Sequence, residues 1–124
     1  MPDRKSLEHL IAEVKAHPHI GRAGMILCHN GIVREFARSD GRTVTGMEVA
    51  PNYTSIENIR KWAESQPGIV AVAIQAMEGE LRVGDDLLYI VVAGDIRENV
   101  FTVLRETLER VKAEGVQKTE HYAD

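Results

Sequence analysis

The chain opens with an apolar stripe at helical spacing: Leu7, Leu10, Ile11 and Val14, with charged residues between them. This predicts a first helix. His17-Pro18 ends it, because proline disfavours the helical region for the residue before it. Residues 21–24 read as a loop. The run Met25-Ile26-Leu27-Cys28 then predicts a buried strand that resumes as Ile32-Val33, with Gly31 marking a bulge or a close backbone approach. Ser39-Asp40-Gly41-Arg42 is a turn signal. Residues 43–49 predict a second strand, with Val44, Gly46 and Glu48 on one face and Thr45, Met47 and Val49 on the other.

Pro51-Asn52 closes that strand, and Thr54-Ser55-Ile56-Glu57 matches a capping box. The helix it opens buries Ile56, Ile59, Trp62 and Ala63 and stops at Pro67-Gly68. Residues 69–74, rich in β-branched side chains, predict a third strand. Turns follow at Glu78-Gly79-Glu80 and Val83-Gly84-Asp85-Asp86. Residues 87–93 are almost continuously apolar and predict a central strand. Asp95 is the expected N-cap of a last helix, whose stripe is Val100, Val103, Leu104, Leu108 and Val111, with Gly115 as its C′ residue. The expected order is α-β-β-α-β-β-α: an α+β sandwich of three helices on mostly antiparallel sheet. Periodicity alone leaves ferredoxin-like and regulatory-domain folds open. The expected division is one domain over residues 1–115 and a C-terminal tail, residues 116–124, with little to bury and hence mobile.

A length of 124 residues fits one domain, and 44% apolar with 27% charged residues is a globular composition. No apolar run approaches the ~18 residues of a membrane span. Met1-Pro2-Asp3-Arg4-Lys5 leads into charged helix and not into the apolar core of a signal peptide. One cysteine, Cys28, excludes an intramolecular disulfide and a cysteine-rich metal site, so a cytoplasmic location is the default. A net charge of −4 argues against bulk-charge binding of nucleic acid, yet leaves room for a local basic pocket.

Most candidate chemistry has a structural explanation. His17 and His19 flank a proline with no acidic or cysteine ligand near in sequence, and read as exposed loop histidines; no metal or cofactor is expected. His9 and His121 fall on polar segments. His29 cannot pair with Cys28, since neighbours on a strand point to opposite faces, and Cys28 reads as a small core residue. Glu78, Glu80, Asp85 and Asp86 read as solvated turn residues. No dinucleotide loop, Walker loop or nucleophile elbow is present.

The basic residues say more. Arg34 follows a strand, Arg97 opens the last helix, Arg105 and Lys112 share a helical face, and Lys118 lies just beyond Gly115. Guanidinium forks suit phosphate. A lysine beside other cations has its pKa lowered, which favours the neutral amine. Surface cations snorkelling on an amphipathic helix would give the same pattern.

Gly31-Ile32-Val33-Arg34, Met47-Glu48-Val49-Ala50-Pro51, Gly79-Glu80-Leu81-Arg82-Val83-Gly84-Asp85-Asp86, Val92-Ala93-Gly94-Asp95-Ile96-Arg97 and residues 108–112, taken in that order, resemble the large, catalytic subunit of molybdopterin synthase. The resemblance spans roughly residues 23–120. It implies an α/β-hammerhead fold and a homodimer that forms a heterotetramer with a ubiquitin-like sulfur carrier. The carrier's C-terminal Gly-Gly thiocarboxylate would enter a pocket, and sulfur would pass to cyclic pyranopterin monophosphate to form the molybdopterin dithiolene. It further implies catalytic roles for Lys112 and Lys118 and an anion-binding role for Arg34 and Arg97; Arg105 joins them as a substrate-binding candidate through the helical face it shares with Lys112. Neither nucleic acid nor membrane is an implied partner. The sequence departs from the family pattern at Ala76-Met77, Val49-Ala50, Ile96 and Gln117. Those departures keep open a non-catalytic paralogue that binds an anion, a pterin or a protein on the same fold. An unrelated α+β ligand-sensing domain is the third reading.

Overall fold

The computed structural model describes residues 4–123. Residues 1–3, part of the charged start on which the expectation about a signal peptide rests, and residue 124, the end of the expected tail, lie outside the described residues. Helix α1 (Leu7–Lys15) and a 3-10 turn (Ile20–Arg22) lead into β1 (Met25–Ile32) and β2 (Val44–Pro51). Then come α2 (Tyr53–Glu64), β3 (Ile69–Ala76), β4 (Gly79–Arg82), β5 (Asp86–Gly94) and α3 (Arg97–Arg110). A π-helical turn (Val111–Gly115) and strand β6 (Val116–Tyr122) complete the chain. The α+β class with three helices is as the sequence predicts, and every strand pair is antiparallel.

Two three-stranded sheets form, ordered β1-β5-β3 and β4-β2-β6. Strand β5 is central in the first, as its unbroken apolar run requires. Its side chains alternate between two cores. Leu88, Ile90 and Val92 pack with Ile56, Ile59, Val100, Val103 and Val111 of the α2–α3 layer. Tyr89, Val91 and Ala93 pack with Leu10 and Val14 of α1 and with Met47, Val49 and Leu81 of the second sheet. No helix among the described residues is long and apolar enough to cross a membrane.

Several local expectations change. Residues 79–82, read partly as a turn, form β4 against β2. Residues 116–122, expected to be a mobile tail, form β6 on the other side of β2, so the sheet includes the segment read as lying outside the domain. Neither strand carries an apolar run; main-chain pairing with β2 stabilises both. A register shift between Val44 and Gly46 puts an extra residue into β2. Val44, Met47 and Val49 therefore all point inward while Thr45 and Glu48 are exposed, where strict alternation would have set Val44 opposite Met47. Next to Gly31, where the sequence suggests a bulge or a close approach, the register does shift, but the extra residue is Leu87 of β5 and not a residue of β1.

Helix α2 starts earlier than the capping box suggests: Asn52 is the N-cap, and its side chain accepts a hydrogen bond from the Ser55 amide. Trp62 is half-buried, with the Arg110 guanidinium 3.8 Å above its ring. At α3 the N-cap is Ile96, not Asp95; the Asp95 carboxylate instead binds the Ile96 amide and the Asn99 side chain.

Candidate active site

Six elements converge on one cleft of about 690 Å³ at the Leu87–Leu88 end of β5. Its floor is apolar, built from Met47, Leu87, Leu88, Leu108 and Val116. Around that floor stand four cations: Arg34 and Arg38 from the segment after β1, Lys112 from the π turn, and Lys118 from β6. Glu120 is the one carboxylate in the lining. Among the described residues, none of the four cations is in an ion pair. In a chain of net charge −4 this is a local reversal of sign, and it attracts anions.

Local structure explains each placement. The last turn of α3 widens into a π turn, a rare geometry that recurs at functional sites, and Lys112 is carried on it. Gly115 ends that turn against α2: a Cβ there would lie 3.1 Å from Ile56 Cγ1, and its carbonyl accepts the Asn52 amide at 2.7 Å. Strand β6 then presents Lys118, Glu120 and Tyr122 to the cleft, since alternate residues share a face. The Tyr122 hydroxyl donates to Glu120 Oε1 at 3.0 Å. From β1, His29 lies beside Gly31; a Cβ at Gly31 would come within 3.1 Å of the ring, so glycine leaves the imidazole its space.

Electrostatics couple these groups. Lys118 lies below the usual lysine value, first because its ammonium is desolvated against the cleft wall and then because Lys112 is near; Glu120 opposes the shift. His29 is pushed down by burial and then by the charges of Lys112 and Lys118, so its neutral form is favoured. A depressed lysine pKa, expected from clustered cations, is found at Lys118, with desolvation as its larger cause and the neighbouring Lys112 as the lesser.

The structure brings together three of the five residues singled out in the sequence: Arg34, Lys112 and Lys118. Arg97 and Arg105 do not line the cleft. Arg97 lies at the far end of α3, on the order of 22 Å from Lys112 by helical rise. His29, Arg38, Ser39, Glu120 and Tyr122 were not assigned to a site from the sequence, yet all line the cleft. The i, i+2, i+4 spacing of Lys118, Glu120 and Tyr122 was the available signal for the last two.

Other candidates fall to structural roles. Cys28 is exposed and not in a core, because β1 is an edge strand and α1 packs over β3 and β5; partial desolvation by its neighbours raises its thiol pKa, which keeps it protonated. The turn carboxylates are engaged one by one. Glu78 accepts the Tyr53 hydroxyl at 2.6 Å, Asp85 the Arg82 amide at 2.8 Å, and Asp86 the Tyr89 hydroxyl; Glu80 meets His121 at 3.0 Å. His17 is half-buried and accepts the His19 amide through Nδ1 at 3.0 Å. Among the described residues no three His, Cys, Asp or Glu side chains are grouped to hold a metal ion.

The profile of the MoaE protein family matches residues 3–114, nearly the whole chain. The chain belongs to the MoaE family. MoaE is the catalytic large subunit of molybdopterin synthase, a sulfurtransferase of molybdenum cofactor biosynthesis. Solved structures agree with this in fold. Molybdopterin cofactor biosynthesis protein E from Burkholderia multivorans is 24% identical, with 98% of this chain and 86% of that one covered at a TM-score of 0.74. Molybdopterin synthase from Staphylococcus aureus is 21% identical, with 83% and 77% covered at a TM-score of 0.70. A complex of subunits 1 and 2 of the molybdopterin-converting factor from Helicobacter pylori contains a chain that is 17% identical, with 97% and 85% covered at a TM-score of 0.67. No curated protein matches. The MoaE match ends just before β6, so Lys118 lies beyond it and Arg34 and Lys112 lie within it.

Proposed function

We propose that this MoaE chain performs the synthase reaction in its cationic cleft: sulfur passes from a thiocarboxylated, ubiquitin-like carrier to cyclic pyranopterin monophosphate, and the molybdopterin dithiolene forms. The observation that carries this is the convergence of Arg34, Lys112 and Lys118, from three separate elements, on one cleft with an apolar floor. Both reactants are anions, and four cations against one carboxylate would draw them in. The apolar floor suits a flat heterocycle, and Arg34 would bind an anionic group through its fork.

The thiocarboxylate sulfur bonds to a side-chain carbon of the pterin as a carbon–oxygen bond at that carbon breaks, the oxygen leaving as water or as the freed phosphate oxygen, so the carrier is joined to the pterin as a thioester; a second thiocarboxylated carrier delivers the second sulfur in the same way. Hydroxide from water then adds to the acyl carbon, the carbonyl becomes an oxyanion, and the carbon–sulfur bond on the carrier side breaks. Sulfur stays on the pterin and the carrier departs as its carboxylate. Lys112 as an ammonium stabilises the oxyanion. Lys118, nearer to neutrality than an ordinary lysine, takes up and returns the proton. Sulfur arrives with the partner, so no cysteine of this chain is needed, and the reducing cytoplasm suits a thiocarboxylate.

Arg97 enters by a different route. It lies beside two exposed apolar side chains, Ile96 at 53% and Phe101 at 49%, the composition of an interface core. In a homodimer that face would deliver Arg97 to the cleft of the second copy.

The test is molybdopterin formation from purified chain, thiocarboxylated carrier and cyclic pyranopterin monophosphate. Lys112→Ala is expected to lower kcat by about 10²–10³-fold, the usual cost of losing an oxyanion donor. Undiminished turnover in that variant overturns the role of Lys112. Carrier binding without product in the parent chain overturns the catalytic reading in favour of a binding module.

A further inference from the structure

The segment joining β1 to β2, residues 33–43, is a closed strap and not an open loop. At its entry Val33 is fully buried, and its amide and carbonyl pair with Asp85 and Gly84. At its exit the Val44 amide donates to Glu35 at 2.6 Å, and Phe36 bridges Thr43. Between them Ala37, only 4% exposed, is a plug: its amide donates to Arg42 and its carbonyl accepts from Gly41, whose φ of +73° closes the turn. The strap is also fastened to β6. The Arg42 guanidinium stacks 3.8 Å above the Tyr122 ring, and the Ala123 amide donates to Thr43 at 3.0 Å.

With Ala37 as the fixed point, the next two residues, Arg38 and Ser39, face the cleft. Arg38 has no carboxylate partner among the described residues, so its five donors are free for a ligand. The strap meets β6 at Tyr122, about 13 Å along the strand from Lys118 at the usual rise.

We propose that Arg38, with the Ser39 hydroxyl, forms an anion subsite on the strap side of the cleft and holds the phosphate of a small phosphorylated heterocycle whose adjacent reacting carbons are offered to Lys112 and Lys118. This rests on the proposed function and deepens it: it separates a residue that holds substrate from the residues that do the chemistry. The strap's fastening is what makes the site. A guanidinium on a loose loop would have to be ordered on binding, whereas here the backbone of residues 37–42 is already fixed.

Steady-state kinetics on Arg38→Gln and Arg38→Lys, with saturating carrier, separate the roles. Arg38→Gln is expected to raise KM for cyclic pyranopterin monophosphate about tenfold or more, the scale of one charge-assisted hydrogen-bonded contact, with kcat nearly kept. Arg38→Lys, which keeps charge but not the fork, is expected to fall between. Inorganic phosphate titrated calorimetrically into the chain without carrier gives a readout independent of turnover, and Arg38→Gln is expected to weaken that binding in proportion. Unchanged KM and unchanged phosphate affinity in Arg38→Gln, alongside an inactive Lys112→Ala, overturn the subsite and leave the proposed function standing. An Arg38→Gln variant that loses kcat at unchanged KM also overturns it, because Arg38 would then act in the chemistry. A parent chain that binds phosphate through Arg38 but makes no product supports the subsite and overturns the proposed function.

Discussion

Lys118 is a residue whose place in the cleft works against the fold. Its ammonium loses water against the cleft wall and faces Lys112, and both effects lower its pKa. The unfolded chain, with an ordinary lysine, binds more protons over the window between the depressed value and the usual one near 10.5. Stability therefore rises as pH climbs through that window, and the penalty is fully present at neutral pH. Lys118→Met keeps the length of the side chain and removes the charge. It is expected to raise Tm slightly at pH 7, to flatten the alkaline rise in stability, and to abolish turnover. Scanning calorimetry across pH, paired with the turnover assay, checks this; a lower Tm at pH 7 would mean the ammonium is stabilising where it sits. At this scale much of the site was legible, since basic residues at Arg34, Lys112 and Lys118 could be picked out before any fold was known. Arg38 was not, because a lone arginine inside a turn signal carries no periodicity, and only the buried Ala37 beside it directs it inward.

Among the elements, β6 lines more of the cleft than any other and gave the weakest signal. The central strand β5 announced itself through an unbroken apolar run, and the helices through their stripes. Strand β6 alternates Val116, Lys118, Glu120 and Tyr122 with Gln117, Thr119 and His121, so both faces are largely polar and hydrophobic patterning reads as tail. What holds it is the ladder to β2, from Val44↔Tyr122 to Pro51↔Val116, and the fastened strap. Strand β2 in turn needs β6, since β4 covers only residues 46–49 on its other side. A chain ending at Gly115 loses Lys118 and leaves β2 with an open edge, and open edges pair with other chains. It is expected to be inactive, less stable than the full chain and prone to self-association. Light scattering behind size exclusion, with thermal melts, checks this. A truncated chain of unaltered Tm and size would show that the ladder contributes little. The helix caps make a related point: Asn52 and Ile96 hold positions that the local sequence gave to Thr54 and Asp95, because strand ends and not the capping motif fix where α2 and α3 begin.

At the scale of the whole molecule, the open question posed by the fold is Arg97. Helix α3 has its N-terminus and Arg97 at one end and the π turn with Lys112 at the other, so no local rearrangement of one chain puts both in the same cleft. On the proposed function twofold symmetry would resolve this, since an isologous interface presents the same face of each copy to the other, and the exposed Ile96 and Phe101 near Arg97 would give such a face apolar content. The consequence is specific. In a dimer of one Lys112→Ala chain and one Arg97→Ala chain, the cleft that keeps its own Lys112 receives an intact Arg97 from its partner, and the other cleft lacks both. Mixing the two inactive variants under conditions of subunit exchange is therefore expected to restore turnover that neither has alone. If each cleft used its own Arg97, both clefts of the mixed dimer would be damaged and mixing would restore nothing. Lys112→Ala mixed with Arg34→Ala is the control within the same assay. Arg34 and Lys112 line one cleft of one chain, so a mixed dimer keeps one complete site made from its Arg34→Ala partner's neighbour only if Arg34, too, crosses the interface. No restoration is expected there, and that contrast separates a shared active site from simple stabilisation of one variant by the other.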